Sequence, residues 1–300
     1  MGIKVAESDE ATGGVCEGLI RLVKISRFIA WPIGPILFAY PLIANDIPFG
    51  KTGILLLILL SVPFCLLLFG LNDIFDRNTD LANPRKRKEG FIHGVCLKES
   101  EYGKVGWICG AVASAIISVA FSTGKWQTVA AAVSLLGMAV VYSAPPLRLK
   151  SRPPLDSLAN AAIIYLIIVF GYTYVDPGLF VPHGEFLQKT VPLLIGIVAI
   201  HLFSTIMDAE ADKAAGIYTV ATRIGKKKTA ALSSGLLFFA VITIHTKNPF
   251  VLIYLVAATL SCLLYATKKG DGGAAKITVF QAISFVVFGA GAAMFTFFRG

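Results

Sequence analysis

The segment TGILLLILLSVPFCLLLFGLNDIFDRNTD, from Thr52 to Asp80, decides the class of fold. Its first twenty residues carry no charge, enough for one helical crossing of the roughly 30 Å hydrocarbon layer. It then leaves the apolar phase through Asn72, Asp73, Asp76 and Asp80. A soluble helix has no use for the first half. A lone membrane anchor has no use for the second.

The rest of the chain repeats the first half. Apolar runs fall at about 28–45, 52–71, 105–122, 126–144, 157–175, 190–207, 229–245, 248–267 and 277–298. They are continuously apolar, so they read as helices and not as alternating barrel strands. The expected fold is therefore an all-α integral membrane bundle of about nine spans, taken as one unit over residues 1–300, with a polar segment over 1–27. Pro32, Pro35 and Pro41 should kink the first span. That run has no small-residue cleavage site after it and reads as a retained span, not a signal peptide. Composition agrees: 56% of the 300 residues are hydrophobic and 15% charged. The five cysteines are odd in number and form no CxxC pair, which argues against a disulfide framework or a zinc site.

The net charge of +9 does not call for nucleic acid, because its distribution follows the spans. Of the 27 Lys and Arg residues, 22 fall on one side of the alternating spans and five on the other. The positive-inside rule puts the rich side in the cytoplasm. The N-terminus and the aspartate-bearing loops are then cytoplasmic, and the C-terminus lies opposite.

A second aspartate cluster, DAEAD, begins at Asp208 after the sixth run. Asp73 and Asp208 are 135 residues and four spans apart, which suggests two four-helix repeats plus a ninth helix. If the second span continues as a helix, Asn72, Asp76 and Asp80 share a face, with Asp73 one step around. Asp208 and Asp212 repeat the four-residue spacing; Glu210 lies on another face. Like charges so placed repel, and a cation offsets them. Oxygen ligands without thiolates suit Mg2+, which is commonly shared between carboxylates and substrate phosphates. Asn72, Asp73, Asp76, Asp80, Asp208 and Asp212 are the candidate metal ligands. Arg85, Lys86, Lys213 and Arg223 follow the clusters and offer cations for a diphosphate. A single aspartate at a helix end is commonly a solvated cap, and the basic run after Pro84 can also meet lipid headgroups; it is the pairing of clusters on one side that favours a site. His201 falls inside a span and is either a functional group or a neutral residue hydrogen-bonded to a neighbouring helix. Gly106 and Gly110 form a GxxxG, which helix packing explains.

The loop YSAPPLRLKSRPPLDSLAN, Tyr142–Asn160, adds Arg148, Lys150 and Arg152 on the aspartate side. Three motifs now stand together. NDIFDRNTD matches Asn-Asp-x-x-Asp-x-x-x-Asp, DAEAD matches Asp-x-x-x-Asp, and YSAPPLRLK follows the fourth span. In this combination the chain resembles the UbiA-type intramembrane prenyltransferases. The resemblance implies helices around a central cavity open to lipid. It implies Mg2+ between the aspartates and an isoprenoid diphosphate donor, and transfer of an allylic carbocation to a lipophilic acceptor with release of pyrophosphate. Asp76 and Asp208 would be central to the metal–diphosphate site with Asn72, Asp80 and Asp212. Arg148 and Lys150 would contact diphosphate, and Tyr142 would flank the cation. NPRKRKEG and DAEADKAAGIYTVATRIG resemble the lycopene elongase branch, which extends a carotenoid end by five carbons. Alternatives are the same chemistry on an aromatic, tetrapyrrole or phosphate-bearing acceptor, or a transporter with carboxylate ion sites. The extended motif of CDP-alcohol phosphotransferases is absent.

Overall fold

The computed structural model describes residues 17–176, 184–270 and 272–297. Among them the secondary structure is helical apart from one isolated bridge, Gly90 to Gly94. Helix α1, Glu17–Ser26, ends where Arg27 takes a left-handed φ of 53°. Helix α2, Ile33–Ala44, follows a 3-10 turn and carries Pro41 inside it. The pair Glu17–Ser26 and Phe28–Ala44 is bent by 51°; the bend falls at Arg27, ahead of the apolar run, and not at Pro32, Pro35 or Pro41, where the sequence predicts a kink. The second run is broken too. Helix α3, Gly50–Leu60, gives way at Ser61 to α4, Val62–Phe75, whose early Pro63 has no N–H to offer the preceding turn.

The remaining long helices are α7, Tyr102–Phe121; α8, Trp126–Ser143; α9, Leu155–Val175; α10, Gly184–Ser204; α13, Lys226–Thr243; α14, Pro249–Thr267; and α15, Ala274–Phe297. The short α5, Arg77–Ala82, and α6, Pro84–Arg87, follow α4; α11, Ala209–Ala214, and α12, Val220–Ile224, follow α10. Among the described residues seven segments are long and apolar enough to cross a membrane, or eight with the bent pair, against the nine expected. The run expected at 229–245 is the helix α13, but three lysines occupy its first turn. Between 17% and 44% of each crossing segment is buried within the chain. The outward surface, with Trp107, Phe121 and Leu264 largely exposed, needs lipid as its solvent.

Neighbours in sequence are neighbours in space. Contacts run from α2 through α3 and α4, α7, α8, α9, α10, α13 and α14 to α15, which returns to α2. A contact between α2 and α9 braces the ring. The buried apolar residues fall into two cores, one drawn from residues 25–170 and one from 199–274. The division lies between the fifth and sixth runs.

The brace is close. A Cβ on Gly171 of α9 would lie 2.5 Å from the Phe38 carbonyl oxygen of α2, a backbone atom that cannot swing aside. Gly171→Ala should therefore destabilise the detergent-solubilised protein by about 1–3 kcal/mol, as an overpacked core does, and so lower its thermal midpoint. Gly137→Ala on α8, where a Cβ would meet nothing within 4 Å, should not. Gly106 and Gly110 behave like Gly137, so the GxxxG makes no close contact inside the described chain.

Interactions between loops place the lysine- and arginine-rich segments at one end. Arg21 of α1 bonds Glu89 at 2.9 Å and also pairs with Glu101. α5 touches α11, and Lys227 donates to the carbonyl of Lys268 at 2.8 Å. At the other end Lys125 donates to the carbonyl of Tyr174 at 2.5 Å, and Tyr174 to Phe49 at 3.3 Å.

Candidate active site

Both aspartate clusters are built alike. α4 stops at Phe75, Asp76 sits at φ −108°, ψ 13°, and α5 begins at Arg77. α10 stops at Ser204, a 3-10 turn covers Thr205–Met207, Asp208 sits at φ −98°, ψ −4°, and α11 begins at Ala209. The Asp80 N–H donates to the Asp76 carbonyl, and the Asp212 N–H to the Asp208 carbonyl, each at 2.8 Å. The continuous helix expected through Asp80 is thus corrected. It breaks at Asp76, so Asn72 and Asp80 lie on different helices. The break brings Asp76 to the cations of the loop after α8. A bare helix would have stacked two carboxylates, Asp76 and Asp80, above Asn72 instead.

α5 and α11 pack together, and Asn83 Nδ2 donates to Asp208 Oδ1 at 2.7 Å across the join. Asp212 is buried one turn beyond.

Cations fill the first half of the cluster. Lys150 Nζ bonds Asn72 Oδ1 at 2.8 Å and Asp76 Oδ2 at 2.8 Å. Arg148, in a left-handed turn at φ 41°, reaches Asp76 Oδ1 at 2.9 Å and the Phe75 carbonyl at 3.1 Å. Lys86 Nζ joins Asp73 Oδ1 at 2.5 Å and Asp80 Oδ2 at 2.6 Å. Arg27 meets Asp73 Oδ1 at 2.9 Å while its guanidinium lies 4.3 Å above the Phe69 ring. A pocket of about 370 Å³ opens beside Arg148, between Pro145–Arg152 and Ala215–Tyr218.

Burial alone would push the Asp76 carboxyl up, but Lys150, Lys86 and Arg148 outweigh it and hold it below the usual range. Burial depresses Lys150, against the pull of Asp76. Asp80 goes the other way: burial and the charges of Asp73 and Asp76 raise it to about 7, more than Lys86 offsets. A buried carboxylate whose neighbours leave it short of positive charge is a place for another cation.

That bears on Mg2+. The donor set is all oxygen, as Mg2+ prefers. Among the described residues no three His, Cys, Asp or Glu side chains converge as a self-sufficient cage. One or two carboxylates completed by substrate phosphates is the usual Mg2+ arrangement, and these residues fit it.

The structure does not gather every candidate. Asp73 is fully buried and tied to Arg27 and Lys86. Lys213 and Arg223 are exposed; Arg223 lies over the Tyr218 ring at 5.2 Å. The side chain of Arg85 lies outside the described residues. Three participants escape a sequence reading. Arg27 is a lone cation just before the first apolar run, and Asn83 looks like an ordinary cap residue. The third is a contact chain within the bundle: Tyr142 Oη lies 3.3 Å from His201 Nε2, and His201 Nδ1 lies 3.0 Å from Ser157 Oγ. Only the intramembrane position of His201 signalled it.

A helical membrane ring with two paired aspartate clusters, faced by lysine and arginine, is the architecture of an intramembrane prenyltransferase. The chain belongs to the UbiA prenyltransferase family, whose model matches residues 33–285. It is 31% identical over 216 residues to the lycopene elongase/hydratase of Halobacterium salinarum, covering 70% of this chain and 72% of that one. It is 28% identical to that of Corynebacterium glutamicum, covering 77% and 79%. A homogentisate phytyltransferase from Synechocystis is 27% identical over 53% of this chain and 50% of its own. In fold the chain is similar to a UbiA homolog from Archaeoglobus fulgidus bound to DMAPP and Mg2+. The TM-score is 0.64 and the identity 17%, over 91% of this chain and 99% of that one.

Proposed function

We propose that this enzyme transfers a short allylic prenyl group from its diphosphate to the end of a carotenoid polyene, on the cytoplasmic side of the membrane. The observation that carries the donor half is the meeting of two Asp-x-x-x-Asp breaks, at Asp76 and Asp208, beside Lys86, Arg148 and Lys150. Mg2+, held by Asn72, Asp76, Asp80, Asp208 and Asp212, would supply charge to neutralise the departing diphosphate. Lys150 and Arg148 leave Asp76 to share the diphosphate oxygens, which keeps each buried charge paired. The apolar bundle shelters the prenyl tail, and Tyr142 presents its ring to the cation. The lycopene elongase/hydratase relatives support a polyene acceptor. The 22-to-5 charge asymmetry supports a cytoplasmic aspartate end.

A transporter would carry its carboxylates near the bilayer midplane; here they follow the ends of α4 and α10. The phytyltransferase relative favours the aromatic alternative. Purified protein in liposomes, given lycopene, dimethylallyl diphosphate and Mg2+, should release pyrophosphate and form C45 and C50 products. Enzyme that turns over an aromatic acceptor and leaves lycopene untouched would sink the carotenoid assignment.

A further inference from the structure

Beneath the ion-pair cluster, three consecutive long helices each contribute one polar side chain to a common contact. Tyr142 is in the last turn of α8, Ser157 in the first turn of α9, and His201 in the last turn of α10. His201 bridges the other two through both ring nitrogens, at 3.3 Å and 3.0 Å. A neutral cross-tie would explain that much. It would not explain Asp156. This carboxylate is 1% exposed, and neither oxygen makes a full hydrogen bond among the described residues. The backbone amides of Ser157, Val220 and Asp156 itself and the Ser157 hydroxyl are the donors around it, with no cation among them; Asp156 and Asp76 are the acidic charges acting on the Tyr142 hydroxyl, which the Asn160 side chain also meets. A cross-tie of neutral groups gains nothing from a buried carboxylate without a cationic partner. A positive charge arising beside it does.

Prenyl transfer generates a proton that must go somewhere. The donor C1–O bond breaks, and its electron pair leaves with the diphosphate. The acceptor π pair forms the new C–C bond and leaves a cation on the neighbouring acceptor carbon. Loss of a proton from the next carbon returns its electron pair as C=C. We infer that His201 is the terminal acceptor of that proton. The Tyr142 oxygen takes it as the tyrosine's own proton passes to His201 Nε2. This assigns the tautomer with Nδ1–H donating to Ser157 Oγ. Asp156, the residue before Ser157, then lies within electrostatic reach of a relay that has become cationic. The inference rests on prenyl transfer but not on the polyene, since an aromatic ring or an alcohol also loses one proton on capture.

The competing base is the departing diphosphate. His201→Gln separates the two, because Gln keeps a hydrogen-bonding group and has no basic nitrogen. Pyrophosphate and prenylated acceptor are counted separately in liposomes at fixed donor and Mg2+. General bases contribute about 10²–10⁴-fold, so product per pyrophosphate should fall at least about tenfold in His201→Gln. Pyrophosphate release should stay within about threefold of the parent, with prenyl alcohol filling the gap. An unchanged ratio assigns the proton to diphosphate and overturns the inference. So does a folded variant that loses pyrophosphate release and product together. Asp156→Asn, nearly isosteric, must lower the same ratio, and it decides alone if His201→Gln does not fold. If the parent enzyme rejects lycopene, only the acceptor assignment fails. The ratio on the acceptor it does use still decides His201.

Discussion

Asp76→Asn and Asp208→Asn should each cut turnover by at least roughly 10²–10³-fold, the scale of losing one preorganised electrostatic contact at a reacting centre. The two positions occupy the same local structure. Each stands at the break between a span and a six-residue helix, and each accepts the N–H of the aspartate four residues on at 2.8 Å. Neither backbone feature depends on side-chain charge, so both variants should remain folded. Their consequences differ in detail. Asp76→Asn leaves Lys150 and Arg148, both within 2.9 Å of the lost carboxylate, facing a neutral amide. Donor diphosphate then has two unpaired cations to bind, and affinity should fall less than turnover. Asp208→Asn keeps an oxygen for the Asn83 bond at 2.7 Å and removes only charge. Glu210→Gln is the control. Glu210 is 79% exposed and pairs with Lys226 at 2.8 Å, a solvent-screened surface contact that contributes little. Its activity should change by less than about twofold. Initial rates of Mg2+-dependent pyrophosphate release test all three. Near-parental turnover in either aspartate variant would break the two-cluster site.

These positions also show how far a sequence reading reaches. Hydropathy is additive along the chain, so the apolar runs found the helices, and charge counting put their connecting loops at the correct common end. Asp76, Lys150 and Arg148 were legible because residue type and side of the membrane suffice to bring them together. The break at Asp76 was not. Helical spacing assumes that the helix continues, whereas the Asp76 backbone leaves the helix and its carboxylate meets a loop 72 residues away. Nor was the partnership of Asp73 with Arg27, which depends on the left-handed turn between α1 and the first span. Lys213 and Arg223 show how little sequence proximity fixes about burial. They sit near the second cluster in sequence, but α11 and α12 leave them exposed. At the lysine-rich start of α13, Lys226 pairs with Glu210, and Lys227 caps α14 through the Tyr265 carbonyl at 2.6 Å.

Lys86→Ala should cost the fold more than any other single change at this end, roughly 3–5 kcal/mol, because it strips a buried ion cluster of one partner. The Lys86 side chain is 9% exposed and bridges Asp73, at 0%, and Asp80, at 7%. Asp73 would keep Arg27 at 2.9 Å. Among the described residues Asp80 would keep no ion-pair partner, and its carboxyl, already pushed up to about 7, would move further toward the neutral form. That protonation limits the loss and identifies its source. Asp80→Asn placed in the Lys86→Ala background removes the stranded charge, so the double variant should be more stable than Lys86→Ala alone. Thermal unfolding in detergent, read by size-exclusion profile after heating, measures the cycle. Additive losses would mean that the Lys86–Asp80 contact carries no coupling energy. Recovery of stability in the double variant, together with loss of pyrophosphate release in folded Lys86→Ala alone, would place Lys86 in both roles. It would neutralise Asp73 and Asp80 and be a cation available to the diphosphate, with Asp80 among the residues that would hold Mg2+.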